Sequence, residues 1–376
     1  MAAFDVGGFI RLVRNHEVDG IGASIGDGPF YDRLAQGGTT TAIIDPVTRQ
    51  VVRDFVSLAG TVRNCAGGAT PWGSWLSCEE TTAGPDNGFE KTHGYCFEVP
   101  ASADRPVDAE PLRDMGRFLR EATAIDPRTG VVFQTEDEHS GAFYRFIPHV
   151  PGRLEAGGRL QALAVVGWPR FETVRGKTVG ETHLVEWVEI PEPDAPITPL
   201  SPLPVYDQAR DRGAARFRRL EGAAYGDGAI YFTSTTGGDL ELGQLWRYRP
   251  LLDVAQPSGR RRSVRAPGRI APETYGELTL LYESSDASRL HAPDNICVSP
   301  AGAIVICEDT VNSQQHLRIY LPSGQLFDLA RNELPGYETS EFAGATFSPD
   351  GQTLFVNIFG NSTTLAIWGP WGAGVA

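Results

Sequence analysis

The chain has 376 residues and a formal charge of −14, with 43 glycines and 27 prolines among aliphatic and aromatic residues and no long runs of helix formers. An acidic surface repels phosphate backbones, which argues against a nucleic-acid partner. No run of about 18 apolar residues is present to cross a membrane as a helix. Short strands joined by tight turns are expected, and at this length an all-β barrel or propeller forms one domain, here 1–376.

The N-terminal stretch shows no basic segment followed by an apolar one, so no export signal is read here. A strand-like run, Phe9–Val13, opens the chain and leads to Arg14-Asn15-His16-Glu17. His16-Glu17 reads equally as a metal ligand and as a structural pair. Arg63 to Glu80 (RNCAGGATPWGSWLSCEE) is the most distinctive stretch. Two glycines after Cys65 let backbone approach a ligand closely. Pro71 and Gly73 make a turn, and Ser74–Cys78 make a strand that ends in Glu79-Glu80. Asn64 reads either as a contact to a ligand or as the cap of a turn. Trp72 and Trp75 read as core or channel wall.

Glu121 to Asp137 (EATAIDPRTGVVFQTED) sets a template: an acid, an apolar run, a turn, a β-rich run, then acids. Glu221 to Thr235 and Asp294 to Asp309 repeat it, and Gly344 to Asn357 follows without the leading acid. The leading carboxylates Glu121, Glu221 and Asp294 each lie five residues before the turn opens, and Glu136 and Glu308 follow it by ten and nine. If each segment is a hairpin, leading and trailing acids emerge at one end, opposite the turn. In this frame Glu79 takes the position of Glu136 and Glu308. Recurrence of this kind is what propeller blades offer, with strand ends meeting around a central channel. Acids flanking solvated strand ends would give a similar pattern with no site. His93, His139 and His291 are not spaced as ligand pairs and read as structural.

Two segments interrupt the pattern. The Pro-rich insertion 189–204 is unsuited to a central strand, and 250–272 is a loop carrying Arg260, Arg261, Arg262 and Arg265. Both read as insertions within the single domain.

The five cysteines, Cys65, Cys78, Cys96, Cys297 and Cys307, form neither a CxxC pair nor an even-numbered disulfide framework. Buried free thiols account for most of them. At Cys65 that reading competes with another. A thiolate among carboxylates is disfavoured unless a cation lies between them, and sulfur points to a metal softer than calcium.

The blocks RLVRNHE, RNCAGGATPWGSWLSCEE, HGYCFEVP, GRFLREATAIDPRTG, TEDE, RRLEGAAY and APDNI resemble the PhoX family of alkaline phosphatases over nearly the whole chain. The resemblance implies a six-bladed propeller with iron and calcium in its central channel. By motif position, it implies a bridging thiolate from Cys65 and metal ligands from Glu79 or Glu80, Glu136, Glu221 and Asp294. The repeat adds Glu121 and Glu308. Arg219 would grip the phosphate of a small phosphorylated substrate, with Asn64 beside it. A metal-bound oxide or hydroxide would then attack phosphorus in a phosphate monoester.

A calcium-only propeller hydrolase, such as a lactonase or phosphotriesterase-like enzyme, is the alternative, and a non-catalytic binding propeller is a third. A monomer is expected. The family implies export, for which this chain shows no signal, so its location stays open. The family usually has more residues before the NHE block, so a C-terminal strand such as Leu354–Ile358 is expected to close the ring.

Overall fold

Strands dominate the computed structural model, which describes residues 1–251, 274–311, 313–369 and 371. The arginine cluster at 260–265 lies outside the described residues. The first sheet is an antiparallel meander of β1 (Ala2–Val6), β2 (Phe9–His16), β3 (Gly37–Ile44) and β4 (Val51–Thr61). The second has three strands: β5 (Asn64–Ala69), β6 (Ser74–Glu79) and β7 (Cys96–Pro100).

A nine-stranded sheet follows. Its first part is β8 (Arg120–Ile125), β9 (Val132–Glu136), β10 (Tyr144–Val150), β11 (Arg153–Val165) and β12 (Thr182–Ile190). Its second part is β13 (Leu220–Gly226), β14 (Ala229–Ser234), β15 (Gln244–Pro250) and β16 (Gly276–Glu283). Pairing of β12 with β16 fuses these two meanders into one sheet. The fourth sheet is β17 (Pro293–Val298), β18 (Ile304–Glu308), β19 (His316–Tyr320) and β20 (Leu326–Arg331). The fifth is β21 (Phe342–Phe347), β22 (Thr353–Ile358) and β23 (Thr363–Trp368).

The sheets follow one another around an axis. Strand β5 packs on β8, β8 on β13, β13 on β17, β17 on β21 and β21 on β1, while β2 touches β5 and completes the circuit. Leu354–Ile358 lies within β22, paired with β21 and β23 of its own sheet. The ring therefore closes by packing of the last sheet on the first, which already has four strands of its own, and not by a strand crossing between them.

The turns follow from their residues. Asp126 Oδ1 accepts the Arg128 amide, and the chain reverses before β9. The inner strands approach so closely that side chains are excluded at two points. A Cβ on Gly68 would sit 2.1 Å from the Thr123 carbonyl oxygen, and one on Gly222 would sit 2.6 Å from the Ile296 amide.

The largest core cluster lies within the nine-stranded sheet, where Phe143 stacks on Phe232 at 4.2 Å beside Phe133, Phe217, Trp246 and Tyr248. In the Pro-rich insertion the chain leaves β12, makes one bridge between Thr198 and Ser201, and enters helix α1 (Pro204–Asp211). Pro204 stands at its start, where a missing N–H costs nothing, and Val205, Tyr206 and Ala209 bury its apolar face.

Candidate metal centre

Five inner strands carry the same irregularity. On β5 the pairing jumps between Asn64 and Gly67, on β8 between Arg120 and Thr123, and on β13 between Leu220 and Ala223. On β17 it jumps between Pro293 and Ile296, and on β21 between Ala343 and Thr346. Each inner strand thus holds one residue more than its neighbour, which is a β-bulge. The first bulged residue is Cys65, Glu121, Glu221, Asp294 and Gly344 in turn. A bulge re-aims its side chain, and those of Cys65, Glu121, Glu221 and Asp294 converge.

Two clusters result. One ligand atom each from Glu17, Cys65 and Glu80 lie within 4.8 Å of one another, as do those from Glu121, Glu221 and Asp294. The Cys65 thiol lies against both Glu17 and Glu121, so it joins the two clusters. Burial, reinforced by the neighbouring acids, raises the pKa of Glu121, Glu221 and Asp294 well above the carboxylate range. The same causes push Cys65 up, and burial with the adjacent Asp137 takes Glu80 to about 9. Glu341, buried and facing Asp294 and Asp309, reaches about 10.

So many buried acids with so few cations are costly unless polyvalent cations neutralise them. Glu121 Oε2 supplies a direct test, because it is buried with no hydrogen-bond partner among the described residues. An orphaned carboxylate oxygen beside a thiol and two further carboxylates fits a metal, and sulfur among the oxygen donors points to one softer than calcium.

The structure thus brings together Cys65, Glu80, Glu121, Glu221 and Asp294. It does not bring Glu79, Glu136 or Glu308 to them. These three stand opposite Asn64, Arg120 and Pro293 in the ladder, and their carboxylates are engaged elsewhere. Glu79 accepts from the Val62, Gly94 and Tyr95 amides at 2.9, 2.7 and 3.1 Å and meets His93 Nδ1 at 2.6 Å. Glu136 accepts from the Ala142 amide and the Tyr144 hydroxyl, at 2.9 and 2.7 Å. Glu308 accepts from the His291 amide at 2.8 Å and pairs with Arg318 at 3.0 Å.

Strand alternation explains the outcome: it is the next residue that enters the channel. Glu80 joins Glu17 and Cys65, Asp137 holds Arg219, and Asp309 hydrogen-bonds to Glu341. Glu17, Asp137, Asp309 and Glu341 are therefore site residues that the sequence reasoning left out or ranked second. The available signal was the recurring acidic doublet Glu79-Glu80, Glu136-Asp137 and Glu308-Asp309.

Asn64 is fully buried. Its amide bridges Thr61 and Ser77, accepting from one hydroxyl at 2.6 Å and donating to the other at 2.8 Å. Asn15 acts as a brace, donating to the Cys65 and Ala66 carbonyls at 3.2 and 2.7 Å. His93 lies between Glu79 and Asp32, away from the two clusters.

Arg219 reaches the centre. Its Nε and Nη2 donate to the two carboxylate oxygens of Asp137, both at 2.9 Å, and Nη2 also meets Glu221 at 3.2 Å. Its φ is +47°, and Arg63 and Ala292, the matching residues two before Cys65 and Asp294, have φ of +45° and +49°. Non-glycine residues rarely adopt this conformation. Here each is tied across the sheet, Thr235 N to the Arg219 carbonyl, Glu80 N to that of Arg63 and Asp309 N to that of Ala292.

Comparison with solved structures bears on the fold. The PhoX of Pseudomonas fluorescens, solved in complex with vanadate, a transition-state analogue, superposes with a TM-score of 0.66 at 16% identity. The match covers 94% of this chain and 82% of that one. The periplasmic gluconolactonase PpgL of Pseudomonas aeruginosa matches at TM-score 0.43 and 15% identity, over 99% of this chain and 82% of that one. A putative 6-phosphogluconolactonase from Bacteroides uniformis gives 0.44 and 12%, over 98% and 80%. No curated protein matches by sequence. The family model for alkaline phosphatase PhoX, however, matches residues 6–361. The chain therefore belongs to the PhoX alkaline phosphatase family.

Proposed function

We propose that this protein is a metal-dependent phosphatase that hydrolyses phosphate monoesters, with iron and calcium held at the channel centre. The observation that carries the reading is the convergence of Cys65 with carboxylates from several separate sheets, Glu121 Oε2 being left without a partner. Cys65, Glu17 and Glu80 would hold the softer cation, and Glu121, Glu221 and Asp294 the adjoining one. Bound cations neutralise phosphoryl oxygens and lower the pKa of water, which are the two requirements of phosphate ester hydrolysis.

The chain's own part is orientation. Asp137 fixes the Arg219 guanidinium through two parallel hydrogen bonds, a geometry that leaves little rotational freedom. Its Nη1 makes no hydrogen bond among the described residues, and the side chain is 37% exposed. It can therefore donate to a phosphoryl oxygen entering from solvent, where it would stabilise developing charge. Burial of the carboxylates keeps bulk water from competing for the cations.

Elemental analysis of the purified protein, beside p-nitrophenyl phosphate turnover for wild type and Cys65→Ala, tests this. Iron with calcium, both iron and turnover being lost in the variant, is the expected result. Calcium alone, with Cys65→Ala unaffected, would overturn it in favour of a calcium hydrolase.

A further inference from the structure

A cavity of about 350 Å³ opens beside the metal centre, between the first and last sheets. Cys65, Asp294 and Glu341 form part of its wall, and Arg14 stands on β2 at its other side. Arg14 is the single Lys or Arg side chain among the lining residues. Alternation along β2 separates its functions. Asn15 turns to brace the Cys65 and Ala66 carbonyls, while Arg14 and His16 share the opposite face.

Arg14 is held without its charge being consumed. Nη1 donates to the Thr364 hydroxyl at 3.1 Å, and that hydroxyl donates on to Asn357 Oδ1 at 2.8 Å. Nη2 donates to the Thr40 hydroxyl at 3.3 Å, which also meets His16 Nε2 at 2.8 Å. Among the described residues Arg14 makes no ion pair, Asp54 acts on it only at longer range, and its Nε is buried with no partner. A partly buried guanidinium normally has an acid beside it, because desolvating an unpaired charge is costly. Neutral hydroxyls position this one, and its charge remains available to whatever enters the cavity.

We propose that Arg14 selects substrates, the cavity receiving the leaving-group portion of a phosphate ester that carries a second anionic group. The inference rests on the phosphatase reading and names its substrate class. The phosphoryl group lies at the metal centre beside Arg219, and the second anion meets the terminal N–H groups of Arg14 that the two threonines leave free across the cavity. His16 lines the same wall and is held by the Thr40 hydroxyl that also receives Arg14.

The test compares metal-loaded wild type, Arg14→Met and Arg14→Lys on three esters. Phosphoglycolate and ethyl phosphate have nearly the same size and differ in one carboxylate, and p-nitrophenyl phosphate reports basal turnover. Wild type should favour phosphoglycolate over ethyl phosphate. Arg14→Met should lose about tenfold or more in kcat/KM on phosphoglycolate, chiefly through KM, with the two other esters within about threefold. This range is that of one charge-assisted hydrogen bond lost from a site. Arg14→Lys, which keeps the charge without the fork, should recover part of the preference. Equal losses on all three esters would overturn the proposal and make Arg14 a structural residue, and unchanged kinetics on all three would overturn it as well. Wild type that hydrolyses p-nitrophenyl phosphate but shows no preference for phosphoglycolate would refute this inference alone. Wild type that hydrolyses none of the three would refute the phosphatase reading with it.

Discussion

Two successive glutamates should respond to mutation in opposite ways. Glu79→Ala removes the acceptor of three backbone amides and of His93, all inside the second sheet. Burial opposes a charge on His93, but the Glu79 and Asp32 carboxylates prevail and hold its pKa above the usual value. The variant therefore strands three buried donors and leaves the His93 ring with Asp32 alone, and breaking a buried pair in this way costs about 3–5 kcal/mol. Glu80→Ala removes a carboxyl whose pKa rises from 4.5 to about 9 in the metal-stripped fold. At pH 7 the unfolded chain has released this proton and the folded chain keeps it. That disadvantage amounts to at most about 3 kcal/mol, and less in practice because Glu80 is only partly buried. Glu80→Ala should then raise the stability of the stripped protein by about 1–2 kcal/mol while abolishing metal retention. Guanidinium unfolding in chelator, followed by tryptophan fluorescence, measures both free energies, and elemental analysis measures the metal. Equal destabilisation by the two variants would refute the assignment of one carboxylate to the sheet and the other to the channel.

Other outcomes follow from the same geometry. Asp137→Asn should release Arg219 and lower kcat/KM for p-nitrophenyl phosphate by about 10–100-fold, the cost of a lost charge-assisted orientation, with melting temperature nearly unchanged. Burial raises the Glu136 pKa from 4.5 to about 8. Its folded pKa is the higher one, so its contribution is complete below about pH 4.5 and is lost as pH rises toward 8. Glu136→Gln should flatten the stability profile in that window by up to about 5 kcal/mol, measured by denaturant titrations at several pH values. Metal-stripped wild type should likewise lose stability as pH rises from about 5 to 10, because Glu80 and Glu341 titrate near 9 and 10 there. Reloading with cations should remove most of that slope, as bound metal keeps its ligands ionised.

Strands and turns were legible because apolar alternation and Pro, Asp and Gly at the reversals act locally. The leading residues Glu121, Glu221 and Asp294 were legible because they recur at one distance from each turn, and Cys65 because it stands before two glycines in the most distinctive stretch of the chain. At Glu136 and Glu308 the trailing position was placed one residue early, while Glu79 and Glu80 were both kept. Counting along a hairpin assigns a strand end to one face or the other, and a slip of one exchanges the faces. The bulges made this slip hard to see, since each adds a residue on one strand alone and leaves no composition signal. Glu17 and Glu341 precede the turn-based repeat or fall outside its frame, so only the closing of the ring brings them near Asp294. Asn64 was misjudged for a different reason. Its neighbour is a site residue, but alternation sends its own amide to Thr61 and Ser77.

The recurring bulge separates what the channel presents from what the sheets need. Pairing on either side of each bulge is unaffected by the identity of the extra residue, so a thiol, a glutamate, an aspartate and a glycine occupy equivalent places on five strands. Substitution at such a place alters the charge and softness of the centre while the ladder around it keeps its register. The scaffold therefore permits its metal complement to be rewritten one residue at a time at the four bulges that carry a donor, while Gly344, at φ +64° with Met1 N 3.0 Å from where a Cβ would stand, keeps the fifth place bare.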